Sequence, residues 1–422
     1  MLRVLQTLIG WEWPMRVLNP LFGDFNPFHP AYRLDPYPTY RRLLAAHPVY
    51  FARALGGGCV LARHADIAAL LSDARFSVDR PQANGFKRLD PFRGLSPQFV
   101  EMILSTLLMV DPPRHTRLRR LVNKAFTPRV VEGLRPRIQA VVDELLDAVR
   151  ARRRMDLVHD LAYPLPVMVI AALLGIPSED RAKFKEWSDT LAVLLDPLQA
   201  PGGLLACEPA FEEMSAYLRG VADARRQAPR DDLISALVAV EEQADVLTGT
   251  ELVALCGLIL GAGHETTTNL IANAVLALLR HPHQRRRLQD DPGLIGNAVE
   301  EFLRYDSPVQ ATDRVVQADD VVLGGRPLRR GSIVLCLLGA ANRDPARFAD
   351  PDRFDIARPD IEHLAFGRGP HFCLGAALAR AEAQIAIPSL LRAFPDLDGD
   401  RAPKHWKRSI VLRGPTALEV TW

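Results

Sequence analysis

The stretch Phe366-Gly367-Arg368-Gly369-Pro370-His371-Phe372-Cys373-Leu374-Gly375 decides how this chain is read. An apolar, alanine-rich run follows it and predicts a helix from about Gly375 to Ile387, stopped at Pro388. Cys373 therefore stands just before a helix, where free N–H groups and the helix dipole favour a thiolate. Gly367 and Gly369 allow a tight loop whose N–H groups can turn toward the sulfur. Gly375, without a side chain, lets a flat group approach the helix closely. Arg368 and His371 add positive charge beside the same loop. A cysteine taken alone is usually a small buried hydrophobe. The set Phe, Gly, Gly, His, Cys and Gly at fixed places has a chance frequency on the order of 10⁻⁸ per start position at average composition.

The remaining cysteines, Cys59, Cys207, Cys256 and Cys336, are widely spaced, and none forms a C-x-x-C pair. A total of five argues against a disulfide framework and a structural zinc site, and suits a reducing cytoplasm. Lys and Arg number 52 against 50 Asp and Glu, a net charge of +2, so charge provides no reason to expect nucleic acid or an acidic membrane surface as partner. Hydrophobic residues at 48% and charged residues at 24% are ordinary for a globular chain and exclude a disordered one. The N-terminal run is interrupted by Arg3, Glu12, Pro14 and Arg16, far short of the ~20 residues a membrane span needs. It carries no signal-peptide cleavage pattern. The 33 prolines punctuate many short elements, and no Gly/Ser linker appears, which favours one domain over residues 1–422.

The pattern is helical from roughly Arg114 to Tyr305, with Tyr37–Ala46 as an earlier helix. Val49–Arg53 and Cys59–Ala62 read as a hairpin, and Arg314–Val316, Asp320–Leu323 and Ser332–Leu337 as strands. Arg408–Arg413 and Ala417–Thr421 read as a terminal strand pair. The expected fold class is mainly α with small β-sheets. The longest helix starts at a capping box, Thr248 with Glu251, and meets no proline until Pro282, which implies ~30 residues and ~45 Å. Leu252–Gly263 is apolar nearly all round and so buried on every side. His264-Glu265-Thr266-Thr267-Thr268-Asn269 follows at once. A polar cluster inside a buried helix is costly unless satisfied or used.

The Cys373 stretch resembles the haem-binding loop of the cytochrome P450 superfamily, F-x-x-G-x-x-x-C-x-G, in its soluble bacterial type. The resemblance extends over nearly the whole chain, because four further segments match in order and spacing. It implies the family fold, with haem b held between the long central helix and the Cys loop. It makes Cys373 the axial ligand of the haem iron, with Phe366 packed beside it. Ala262-Gly263-His264-Glu265-Thr266 matches A-G-x-[DE]-T. The resemblance makes Ala262 and Gly263 the small residues that leave room for dioxygen. It makes Thr266 the hydroxyl that holds dioxygen or water, and Glu265 the link to solvent protons. Glu301-Phe302-Leu303-Arg304 matches E-x-x-R, whose ion pair takes a third partner, here Arg353. Family members usually carry Glu where Asp352 stands. His115, Arg119, Arg314 and His371 match the residues that hold the two haem propionates.

The implied activity is a monooxygenase that inserts one atom of O2 into a lipophilic small molecule by hydroxylation or epoxidation. No G-x-G-x-x-G fingerprint follows a strand, so NAD(P)H is used only indirectly. The expected electron donor is a separate ferredoxin with a flavin reductase, docked on Arg120, Lys124, Arg129 and Arg368. The family analogy nominates Phe86, Leu191, Leu258, Gly261, Ala262, Val309, Gln310, Ile410 and Val411 as the substrate pocket, and a cytoplasmic monomer as the working form. The alternative reading, a haem-binding sensor or carrier, has no use for the Glu265-Thr266 pair.

Overall fold

The computed structural model describes residues 23–52, 58–123, 126–192, 201–241 and 247–422. The helices that position the site are α1 (Arg114–Asn123), α2 (Pro128–Arg150), α3 (Pro164–Leu173), α4 (Arg181–Ala192), α5 (Gly249–Arg280), α6 (Ile295–Tyr305) and α7 (Ala376–Ala393). The capping box at the start of α5 is present: the Thr248 hydroxyl accepts from Glu251 N, and the Glu251 carboxylate accepts from Thr248 N. Glu251 also pairs with Arg114 and Arg117 of α1, so the same residue caps α5 and ties it to α1.

Helix α5 runs through two separate apolar clusters. Leu252–Leu260 packs with Leu118, Leu121 and Val122 of α1 and with Phe184, Trp187 and Leu191 of α4. Leu270–Leu279 packs with α2, α6 and α7. Residues 261–269, the small residues 261–263 and the polar interruption 264–269, belong to neither cluster. The Cys loop sits at the same boundary, because Leu374 packs against the first cluster while Phe366 and Ala377 pack against the second.

A five-stranded sheet joins both halves of the chain. Its strands are β1 (Val49–Phe51), β2 (Cys59–Leu61), β3 (Phe76–Ser77), β4 (Thr312–Val316) and β5 (Ile333–Cys336), in the order β1-β2-β5-β4-β3. β2 and β5 are parallel, with Val60 opposite Leu335, and the other pairs are antiparallel. The hairpin reading is correct for its strands; Arg53 and the adjoining turn lie outside the described residues.

Two sequence expectations are corrected. Helix α7 is not stopped at Pro388 but continues to Ala393 with the proline inside it. An interior proline costs ~3 kcal/mol. Here Ile385, Ala386, Ile387, Leu390 and Leu391 are buried against neighbouring helices, and that packing outweighs the local penalty. Arg408–Arg413 is not a strand. Ser409 Oγ accepts from Val411 N (3.1 Å) and Leu412 N (2.7 Å), which turns the chain, and only Leu412 forms a β-bridge, to Val309. The C-terminal strand Glu419–Thr421 pairs instead with Arg154–Asp156 and Asp398–Gly399.

Candidate active site

The Cys loop closes on itself, with Cys373 N donating to Phe366 O (2.9 Å) and Gly367 N to Leu364 O (2.9 Å). Gly367 (φ 70°) and Gly369 (φ 72°) occupy the left-handed region, and a Cβ on Gly369 would come within 2.5 Å of Leu71 O. Burial raises the Cys373 thiol pKa, while the Gly375 N–H, Arg119 and Arg380 oppose that rise. A Cβ on Gly375 would meet nothing within 4 Å, so the helix face beside the sulfur is open to a flat group. Phe366 lies under the Arg380 guanidinium, 4.6 Å from its centroid, and 5.8 Å from the His363 ring. Arg380 and His363 are both bonded to Glu300, and they hold its carboxyl down at about 2 against the opposing effect of burial.

The four proposed propionate residues converge. The His115 and His371 rings are 4.1 Å apart. Burial, Arg119 and Asp111 act on His115, with the net effect of lowering its pKa. Burial, His115, Arg314 and Arg119 push His371 down to about 3. Among the described residues, Arg119 donates only to Asn123 Oδ1 (3.0 Å), and the buried Arg314 only to Thr312 Oγ1 (3.2 Å) and Asp313 O (2.7 Å). The nearby Asp313 carboxylate is taken by Arg80. His115 Nε2 is buried without a hydrogen-bond partner among the described residues. Asp111, the other carboxylate nearby, accepts from Ser77 Oγ and Val78 N. Two arginines with no carboxylate paired to them, beside a buried imidazole nitrogen left unbonded, fit a doubly anionic cofactor edge. His115→Phe should therefore weaken haem retention by roughly tenfold to a hundredfold, the equivalent of one charge-assisted hydrogen bond of about 1.5–3 kcal/mol. Haem transfer to an apo-globin acceptor measures this directly.

On α5, Thr266 is half-buried and donates to Ala262 O (3.0 Å). A Cβ on Gly263 would stand 2.5 Å from Ile170 Cδ1, the end of a side chain, so α3 packs closely on α5 at this glycine. Glu265 pairs with Lys407, and His264 Nε2 is 3.6 Å from its other oxygen. Glu382 of α7 is buried beside Thr267, and burial pushes its carboxyl up to about 8.

Glu301 and Arg304 are fully buried and joined by two hydrogen bonds, 2.6 and 2.9 Å. The third charge is Arg358, not Arg353: Arg358 Nε lies 3.3 Å from Glu301 Oε2. The Arg353 side chain is 65% exposed and pairs with Asp355; only its carbonyl joins the network, accepting from Arg304 and Arg358. Sequence reasoning could not rank two arginines five positions apart by burial. It also missed Lys407, Arg380 and Glu382, whose partners lie on other elements.

The proposed pocket residues divide. Leu191 of α4 lies against Gly261, where an added Cβ would be 3.4 Å from Leu191 Cβ. Leu258 borders the same cluster. Phe86, on the helix Asn84–Leu89, stacks edge-on against Phe92 at 5.1 Å. Ile410 and Val411 are half-buried on the turn described above, and Val309 bridges to its neighbour Leu412. Gln310 lines one cleft together with Ile410, and its amide is held there, accepting from Tyr40 OH (2.8 Å) and donating to Ser307 O (2.7 Å).

Comparison with known proteins agrees with this geometry. The Cytochrome P450 family profile matches residues 102–292 and 293–421. The chain is 43% identical over 414 residues to the cytochrome P450 monooxygenase PikC of Streptomyces venezuelae, covering 96% of this chain and 95% of that one. It is 41% identical over 392 residues to the vitamin D(3) 25-hydroxylase of Pseudonocardia autotrophica, covering 92% and 94%. The crystal structure of the myxobacterial cytochrome P450 CYP267B1 in complex with myristic acid superposes with a TM-score of 0.83 at 44% identity, covering 94% and 98%. The chain belongs to the cytochrome P450 family. It is a haem-thiolate monooxygenase that uses haem b and O2, takes electrons from NAD(P)H through redox partners and acts on a lipophilic substrate. No helix among the described residues is long and apolar enough to cross a membrane.

Proposed function

We propose that Cys373 ligates the haem iron, and that His115, Arg119, Arg314 and His371 hold the propionates. Thr266 and Glu265 serve the oxygen-activating side. The observation that carries this reading is the shared boundary: the polar interruption of α5 and the Cys loop both fall between the two apolar clusters. The haem iron, once bound, supplies oxygen activation. The chain's own residues do the rest. Ala262, with its small side chain, leaves room beside the Thr266 hydroxyl, Thr266 orients a proton donor there, and Glu265 relays protons from solvent. Leu191, Leu258, Ile410 and Val411 exclude water from an apolar substrate and hold it by shape. The substrate is a lipophilic small molecule, hydroxylated or epoxidised.

Electrons come from a ferredoxin served by a flavin reductase. The donor docks around Phe372, 42% exposed next to Cys373. Exposed Arg120 and Arg129 and the Glu362-paired Arg368 supply positive charge for that docking; Lys124 lies outside the described residues. The protein is a cytoplasmic monomer, one domain from end to end. A screen of lipophilic compounds for the low- to high-spin shift identifies the substrate class. With any compound that shifts the spectrum, Thr266→Ala should cut product formed per NAD(P)H by roughly tenfold to a hundredfold. The lost electrons should appear as peroxide or water. Unchanged coupling would remove Thr266 from the mechanism.

A further inference from the structure

Glu300 of α6 holds two groups at once. Arg380 of α7 donates to both of its oxygens, Nε to Oε1 at 2.7 Å and Nη2 to Oε2 at 2.8 Å. His363 Nε2 donates to Oε2 at 3.1 Å. The His363 Nδ1 accepts from Ala365 N (3.2 Å), so the ring proton is on Nε2 and the imidazole is neutral in this arrangement. Against burial, the bonds from Arg380 and His363 hold the Glu300 carboxyl at about 2, so it is ionised at neutral pH. The Arg380 and Glu300 side chains are 30% and 25% exposed, and water screens their fields less than those of a surface pair.

The pair has a direction. The guanidinium bonded to Glu300 also lies over the Phe366 ring, 4.6 Å from its centroid, and Phe366 O accepts from Cys373 N at 2.9 Å. Among the described residues, Glu300 reaches the Cys loop only through Arg380 and His363. The cation, not the anion, is therefore the end of the pair that meets the loop. Two arginines act on Cys373. Arg119 belongs to the propionate cluster, which leaves Arg380 without a task in the reaction described so far. A fixed positive charge beside a thiolate-bound iron favours the state that holds one more electron, and a fixed negative charge opposes it.

We propose that Glu300 and Arg380 are a positioning pair whose cation, held over Phe366, raises the reduction potential of the iron bound at Cys373 and so eases its reduction by the electron donor. This inference rests on the reading of Cys373 as iron ligand made above. A pair that only kept the loop in shape would behave differently. Loss of either partner breaks the same contact, so both losses would move the potential in the same direction. A charge device moves it in opposite directions.

The test is a redox titration of the ferric–ferrous couple in the haem-loaded, substrate-free protein, read beside the spectrum of the reduced, CO-bound form. Arg380→Met should lower the equilibrium constant for reduction about tenfold, or about 59 mV for one electron. Glu300→Gln should raise it, by about threefold, because the anion stands farther from the loop than the cation. Arg380→Lys keeps the charge and should stay within about twofold of the wild type. The double variant loses both charges and should lie between the two single ones. Shifts of the same sign in Arg380→Met and Glu300→Gln overturn the proposal, as do wild-type potentials in both. If Arg380→Met does not retain haem, Glu300→Gln decides alone: a lowered or unchanged potential overturns the proposal. The CO-bound spectrum separates the two claims. Variants that keep the thiolate band while their potentials stay put refute only the tuning by the pair. A wild type without that band refutes Cys373 as ligand, and the tuning with it.

Discussion

Cys373→Ala is expected to abolish the red-shifted Soret band of the reduced, CO-bound protein and to lower product formation by roughly a thousandfold or more, because the thiolate is what favours O–O cleavage. The structure explains why no other sulfur can substitute. Burial pushes the thiols of Cys59, Cys256 and Cys336 up to about 12 and that of Cys207 up to about 11. Each is enclosed in protein, Cys59 and Cys336 in the cluster around the five-stranded sheet and Cys207 and Cys256 in the cluster around the first half of α5. Cys373 is also raised by burial, but it alone has a loop N–H and two arginines working against that rise. It is also only partly buried, beside a helix face left open by Gly375. A metal at this position would replace the proton and meet a sulfur whose neighbours, the Gly375 N–H, Arg119 and Arg380, favour negative charge. The CO difference spectrum and the haem content per chain measure the outcome. A variant that binds haem and keeps the thiolate band would remove Cys373 as ligand.

The legible parts of the fold and site were those encoded by local rules. The capping box at Thr248 and Glu251 is a four-residue event, and it forms as its sequence predicts. The polar run His264–Asn269 announced itself by interrupting an apolar helix, and it marks the boundary between the two cores. The glycines of the Cys loop were readable because their backbone conformations are ones other residues avoid. What was not legible depends on contacts between distant segments. Pro388 reads as a stop by propensity, and tertiary packing overrides it. Arg408–Arg413 has β-like composition, yet a single serine hydroxyl turns it. Lys407 looks like any surface lysine until the fold carries it to α5. Arg353 and Arg358 are alike in sequence, and only burial distinguishes them.

That last distinction leads to a second large effect. Glu301→Ala is expected to lower the unfolding free energy by about 3–5 kcal/mol, the cost of leaving buried charge uncompensated. Arg353→Ala should change it by less than about 0.5 kcal/mol, as befits an exposed side chain. Removing Glu301 leaves the buried Arg304 and Arg358 guanidiniums without their shared counter-charge and frees Asp355 N, which donates to Glu301 Oε1 at 2.9 Å. The consequence reaches the site by a traceable route. Arg304 donates to Asn342 O (2.9 Å), the Asn342 side chain accepts from Leu364 N (2.7 Å), and Leu364 O accepts from Gly367 N at the start of the Cys loop (2.9 Å). Arg304 and Arg358 also gather the carbonyls of Ala349, Asp350, Pro351 and Arg353, fixing the chain that leads into this loop. Loss of the carboxylate should therefore lower haem occupancy together with stability. Denaturant unfolding at constant m-value, read beside the haem-to-protein ratio, tests both. If Arg353→Ala proves as damaging as Glu301→Ala, or if Glu301→Ala unfolds no earlier than the wild type, the network described here does not brace the loop. With the predicted split, the third charge is Arg358, and it acts by holding backbone rather than by touching haem.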